Sequence, residues 1–183
     1  FTLSLWIKVP THFERAVIIH RSRSWTDAGS QGYQLLLEDG HPTWSLVHFW
    51  PGDAISIRGV EPLPLDEWTH VAVVHDGSVR AQGLSMYING VPAGVEVVHD
   101  HLTRAITGGS PGHLTVGERF RDNGFTGGGV DEVQVFDTAL TAMECAELHG
   151  TVTPDDDEEL FDVYLCRVDE AWRQAEESLH VAR

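Results

Sequence analysis

Residues Gly127 to Leu148, GGGVDEVQVFDTALTAMECAEL, place a strand and a helix almost back to back. Val130, Glu132, Gln134 and Phe136 alternate with Asp131, Val133, Val135 and Asp137, a period of two that predicts a strand. Thr141 followed by Glu144 is a capping box, in which each side chain takes the other residue's otherwise unpaired backbone N–H. Strand, tight junction and capped helix in that order mark the place where a sheet closes.

The chain before this point reads as further strands. Leu3, Leu5 and Ile7 alternate with Thr2, Ser4, Trp6 and Lys8 until Pro10. Apolar runs follow at Ala16–His20, Tyr33–Leu37, Trp44–Trp50, Ala54–Val60, Trp68–His75, Leu84–Ile88 and His113–Gly117. Asp39-Gly40, Pro51-Gly52-Asp53, Asp76-Gly77 and Asn89-Gly90 separate them, and Asn-Gly between alternating runs is a strong hairpin signal. Strands at this spacing predict an all-β fold, an antiparallel two-sheet β-sandwich, rather than alternating strands and long helices. With 183 residues, 42% of them hydrophobic, one such domain can fill its core.

After Gly150 the character changes. Residues 151–183 predict an acidic helical extension to a sandwich of residues 1–150. Pro154 suits a first helical turn, Leu160, Val163 and Tyr164 form an apolar stripe, and Asp169 caps a last helix carrying Ala171, Trp172, Ala175 and Leu179. These are read as two helices leading out of the domain.

The formal net charge of −16 excludes nucleic acid as a partner, since a polyanion would be repelled. It is compatible with calcium, basic partners and neutral sugars. No apolar run of about 18 residues exists, so no membrane insertion is expected. The chain starts at Phe1, inside a strand pattern, and reads as an excised piece of a longer protein. Cys145 and Cys166 fall in helical regions, either as a disulfide or as two buried thiols.

The strand–helix segment resembles the closing segment of laminin-G-like domains of the concanavalin-A-like lectin/glucanase superfamily. Three further stretches carry the same resemblance: Phe1 to Lys8 (FTLSLWIK), Trp68 to Gly77 (WTHVAVVHDG), and Leu84 to Val91 with Leu114 to Gly117 (LSMYINGV, LTVG). They occur in the family's order and cover nearly all of residues 1–148. The resemblance implies a jelly-roll sandwich acting as a non-catalytic recognition module for carbohydrate or protein. The alternative is a structural spacer packing on neighbouring enzyme or cytochrome domains. The whole chain is also similar to the laminin-G-like module of planctomycete multidomain proteins with cytochrome-c-type domains, which implies an extracytoplasmic location, whether periplasmic, cell-envelope or secreted. Family members usually have a strand before the FTLS segment; here the C-terminal tail is one candidate to cover that sheet edge.

The resemblance also implies a structural Ca²⁺ near a sheet edge, with Asp131 as the position that matches and Asp122 and Asn123 as helpers. Read without it, Asp131 holds neighbouring backbone amides. For sugar binding, Trp25, Trp50 and Phe125 lie in or beside loops where a ring can stack on a pyranose, and Asp53, Arg121 and Asn123 supply hydrogen bonds. His99 and His101 share one side if their segment is extended, a spacing open to a transition metal. His70 is expected to make a buried hydrogen bond. Retaining glycoside hydrolysis needs two carboxylates about 5 Å apart on one cleft. Asp131 and Glu132 are adjacent and point to opposite faces, so no catalytic residue is assigned.

Overall fold

The computed structural model describes residues 1–107, 113–151 and 157–182. Its strands are β1 (Thr2–Lys8), β2 (Arg15–Arg21), β3 (Gly32–Glu38), β4 (His41–Phe49), β5 (Asp53–Gly59), β6 (Trp68–His75), β7 (Leu84–Ile88), β8 (Val91–Pro92), β9 (Val95–His101), β10 (Thr115–Val116) and β11 (Gly129–Phe136). Three helices follow: α1 (Ala142–His149), α2 (Asp157–Arg167) and α3 (Glu170–Ala182). The strands pair as a five-stranded sheet, β11-β1-β6-β7-β8, and a six-stranded sheet, β10-β2-β3-β4-β5-β9. The pairings are antiparallel, and the fold is the expected two-sheet sandwich with a short helical C-terminal part. Among the described residues no helix is long and apolar enough to cross a membrane.

Strand alternation decides what lies between the sheets. Leu3, Leu5, Ile7, Val71 and Val73 from one sheet share a single buried cluster with Leu35, Leu37, Trp44, Leu46, Ile55 and Ile57 from the other. Each fully buried side chain of this size contributes about 1.5–3 kcal/mol. The two hairpins signalled by Asp-Gly and Asn-Gly form as read. Asp39 and Gly40 have φ of 52° and 80°, and Asn89 and Gly90 have 51° and 77°. Two successive left-handed residues make the type I′ turn that matches strand twist, and Asn and Gly tolerate it best.

The sequence reading needs three corrections here. First, β8 and β9 were not anticipated. β9 pairs with β5, and its register shifts between Ser56 and Ile57, so a bulge breaks the alternation that would have revealed the strand. Second, β11 does not alternate throughout. Ser4 opposes Gln134 while Trp6 opposes Asp131, so Glu132 and Val133 together face one residue of β1. Glu132 has φ 47° at this bulge. Val130 and Val135 therefore share the inner side, opposite Ile7 and Leu3, while Asp131 and Gln134 share the outer one.

Third, the helical tail does not lead away. The Thr141–Glu144 capping box forms as expected, and α1 lies on the outer face of the five-stranded sheet. Cys145 packs there with Ala72 and Val74, and His149 sits 5.4 Å from the Trp6 ring. α2 then returns to α1: Arg167 donates to both Glu144 carboxylate oxygens at 2.7 Å, to Thr138 Oγ1 and to the Ala139 carbonyl. Helix α1 thus covers a sheet face, and the tail is fastened to α1 and the segment before it. The Leu160-Val163-Tyr164 stripe splits, with Val163 half-buried and the other two exposed. Asp169 caps α3, accepting from the Trp172 N–H at 2.7 Å. Pro154, Asp155 and Asp156 lie outside the described residues, while Asp157, Glu158 and Glu159 form the first turn of α2. Both cysteines are free thiols, with Cys145 buried and Cys166 half-buried.

Candidate functional site

The outer face of the six-stranded sheet carries a continuous row of polar side chains. Its central row runs His20–Gln34–Ser45–Ser56–His99, successive cross-strand partners on five strands. Val17–Leu36–Thr43–Arg58 and Gly32–Val47–Ala54–His101 flank it. His20, Gln34, Ser45 and Ser56 are all buried, so the row is a covered polar ladder. Ser45 Oγ and Ser56 Oγ are 2.7 Å apart, and the Trp50 ring meets His99 edge-on at 4.7 Å. At the other end Arg119 reaches in, donating to Gln34 Oε1 and Ser22 Oγ. The Val17 row ends on β9 at Glu96, opposite Arg58, and the residues named in the other two rows include no carboxylate. Glu38 and Glu96, at the rim, are bound by Arg15 and Arg58.

Arg119 is fully buried and was not singled out from sequence, where Glu118-Arg119-Phe120-Arg121-Asp122 reads as a solvated loop. Its Nε and Nη2 donate to Asp122 Oδ2, and Arg15 Nε donates to Asp122 Oδ1 at 2.8 Å. Burial pushes the Asp122 carboxyl up, but the two guanidinium groups outweigh it and hold the group below its ordinary value. Two cations around one carboxylate fasten the 117–125 loop to β2, where the Val17 N–H also donates to the Asn123 carbonyl at 2.9 Å.

This bears directly on calcium. Asp122 already has both oxygens bound by arginine, and a second cation would have to displace them. Asp131 stands on β11 of the opposite sheet, where its Oδ1 accepts from the Glu132 N–H at 2.8 Å and steadies the bulge. Asp122, Asn123 and Asp131 are therefore not assembled as one ligand set. Among the described residues no group of three or more His, Cys, Asp or Glu side chains is placed to share a metal ion. His99 and His101 do lie on one side of β9, opposite Ser56 and Ala54, but no third ligand joins them.

The residues expected to bind sugar separate into two groups. Phe125 is a correction: it is buried in the core against Phe13, ring centroids 5.4 Å apart, and offers no stacking surface. Trp25 is half-buried under the Arg15 guanidinium, 4.8 Å above its ring. Arg121 and Asn123 are exposed on the 117–125 loop, Arg121 lying 5.1 Å from the Phe120 ring. Trp50 and Asp53 belong to the other group, at the β4–β5 turn.

There a cleft of about 460 Å³ opens, lined by His48, Phe49, Asp53, His101, Thr103 and Arg104, within the usual range for small-molecule sites. Phe49 is 45% exposed. Asp53 is buried and accepts from the Thr103 N–H at 2.6 Å and the Thr103 hydroxyl at 3.0 Å. Burial opposes its charge, but these hydrogen bonds, with His48 and Arg104 nearby, hold its carboxyl below the ordinary value. Asp53 thus fixes the turn, while Arg104, its side chain 72% exposed and 3.5 Å away, stays available. His48 Nδ1 lies 2.7 Å from the Ala105 carbonyl, which sets the ring orientation. Thr103 and Arg104 were missed from sequence because β9 was missed and the segment after it carries no local signature, whereas His48 and Phe49 lie at the end of a strand that was read but given no site role.

A larger cleft, about 600 Å³, lies between the sandwich and the helical tail, with Tyr87, Asp162, Cys166 and Arg167 in its wall. Burial, then the nearby Cys145, Glu159 and Asp162, push the Tyr87 hydroxyl up to about 12. Arg167 in this wall is committed to holding α2 in place.

The chain belongs to the concanavalin A-like lectin/glucanases superfamily, whose laminin-G-type model matches residues 1–146. No curated protein matches it. Among solved structures it is similar to a native heptameric SAP-like pentraxin from Limulus polyphemus, at 22% identity and TM-score 0.55 over 81% of this chain and 68% of that one. A putative carbohydrate binding protein from Bacteroides ovatus shares 17% identity, TM-score 0.55, over 80% of this chain and 39% of that one. The binding domain of botulinum neurotoxin DC, solved with rat synaptotagmin II, shares 14% identity, TM-score 0.55, over 84% and 36%. The chain therefore spans about two thirds of the pentraxin and little more than a third of the other two. These likenesses establish the fold.

Proposed function

We propose that this chain is a non-catalytic recognition module of a larger extracytoplasmic protein, and that it binds a glycan in the cleft between Phe49 and Arg104. The cleft carries the reading. An exposed aromatic beside a solvent-facing guanidinium, a hydroxyl and two imidazoles is the combination that stacks on a sugar's apolar face while bonding its hydroxyls. The solved neighbours support it in kind, since one is described as a putative carbohydrate binding protein and another as a toxin's binding domain. The covered outer face argues against hydrolysis, because none of its three rows holds an acid and a nucleophile. The extracytoplasmic setting rests on the sequence resemblance.

A glycan array probed with and without Ca²⁺ tests this reading. Binding that falls at least tenfold in Phe49→Ala and Arg104→Ala, with an unchanged melting temperature, is the expected result. Silence towards all glycans under both conditions would assign the domain to spacing its neighbours instead. Turnover of a β-glucan that is lost on one carboxylate substitution would overturn the non-catalytic reading.

A further inference from the structure

The helical tail docks through one side and leaves the other unpartnered. Cys166 and Arg167 turn toward the sandwich, while Leu160, Phe161, Tyr164, Val168, Trp172 and Leu179 are each between 45% and 63% exposed. Their spacing is helical. On α2, Leu160 and Phe161 stand one turn before Tyr164, and Val168 follows one turn later. On α3, Trp172 and Leu179 are two turns apart with Ala175 between them. Phe161 and Tyr164 already stack, centroids 6.4 Å apart and planes 19° from parallel. Six large apolar side chains exposed on two adjoining helices are more than soluble chains usually leave open without a partner.

The charge around that surface selects the partner. Of the eight carboxylates between residues 157 and 179, Asp162 and Glu176 line the cleft against the sandwich and Asp169 caps α3, while exposed Asp157, Glu170 and Glu177 supply the acidic rim; of the two arginines, Arg167 is held by Glu144. A second copy of this chain would bring the same acidic rim and a further net charge of −16, which opposes close pairing. An anionic lipid surface is disfavoured for the same reason, because interfacial helices need a basic polar face. We infer that the outer face of α2 and α3 docks a basic amphipathic helical segment of a protein, its apolar stripe against Phe161, Val168 and Trp172 and its lysines or arginines against the acidic rim. This surface is separate from the Phe49–Arg104 cleft, and the inference stands whether or not that cleft binds a glycan.

Titration calorimetry with designed peptides tests it. The probe is a 14-residue helix of leucine and lysine with one leucine face; the controls are the same composition scrambled, and a leucine–glutamate counterpart. We expect one-to-one binding of the amphipathic basic peptide only, weakened at least tenfold in the F161S/V168S/W172S variant and similarly at 0.5 M salt. Glu170→Lys with Glu177→Lys, which alters charge and leaves the apolar stripe, should weaken it several-fold with the melting temperature held. Equal binding of the scrambled or acidic peptide, or binding indifferent to both variants, overturns the inference. So does a dimer in sedimentation that the triple serine variant dissolves, since the occupant would then be a second copy.

Discussion

His70 makes the stability of this domain depend on pH in a way that can be worked out in advance. It sits in β6 on the outer face of the five-stranded sheet, 1% exposed, beneath α1. Its Nε2 is 2.8 Å from Ser4 Oγ, and Nδ1 is buried without a partner. Trp6 and His149 pack on the ring at 5.4 and 5.7 Å. Protonation would place a charge in this site with no carboxylate to meet it. Burial, and then His149, lower the His70 pKa from 6.5 to about 4. Because the folded value lies below the unfolded one, the unfolded chain binds the extra proton first. The contribution is therefore fully present above pH 6.5 and is lost as pH falls from 6.5 towards 4. That gap, at ~1.4 kcal/mol per pH unit, amounts to about 3 kcal/mol, a large part of the 5–15 kcal/mol typical of a domain.

The matching perturbation is His70→Gln, which keeps a hydrogen-bonding group for Ser4 and cannot titrate. At pH 7.5 it should cost about 1–3 kcal/mol, the usual range for a buried polar group that is imperfectly paired. Urea unfolding of both proteins from pH 7.5 to 4 gives the stability difference at each pH, with shared titrations cancelling. The difference should shrink by about 3 kcal/mol on acidification and change sign near the acid end. A difference constant to within about 0.5 kcal/mol would refute the reasoning. Ser4→Ala, which removes the Nε2 partner without adding a titrating group, should lower stability at every pH.

Three further outcomes follow from the packing of the helices and loops. Arg167→Ala removes four hydrogen bonds to Glu144, Thr138 and Ala139, so α2 and α3 should become sensitive to limited proteolysis at a cost of about 1–2 kcal/mol; unchanged protection would show that the clasp does not hold the tail. The two thiols should separate in Ellman kinetics, since burial and the neighbouring Glu144 charge push Cys145 up to about 12 while Cys166 is only half-buried; equal rates would contradict the packing of Cys145 on Ala72 and Val74. Chelation followed by Ca²⁺ addition should leave the melting temperature within about 1 °C, because arginine already neutralises Asp122; a rise that Asp131→Ala abolishes would reinstate calcium.

Legibility of this chain in its sequence followed how local the governing interaction was. The two Asn-Gly and Asp-Gly turns, the capping box and the core faces of β1 and β6 are each set within a few residues, and each was readable. β11 was readable as a strand but not in its facing, because the bulge at Glu132 is imposed by pairing with Leu5, more than a hundred residues away. The same mechanism hid β9, and with it the cleft at Arg104. Arg119 was beyond reach altogether: a charged loop residue becomes a buried anchor only because Asp122, Gln34 and Ser22 arrive from distant parts of the chain. The tail shows the converse. Its helices and the Asp169 cap were local and legible, whereas its direction depended on Arg167 reaching Glu144 across a connection that no periodicity encodes. Both proposed sites on this scaffold lie where such long-range contacts meet, at strand ends and on helix faces. The outer face of α2 and α3 is thus more informative than any single motif: its apolar spacing is written in the sequence, but only the docking of Cys166 and Arg167 reveals which side stays exposed.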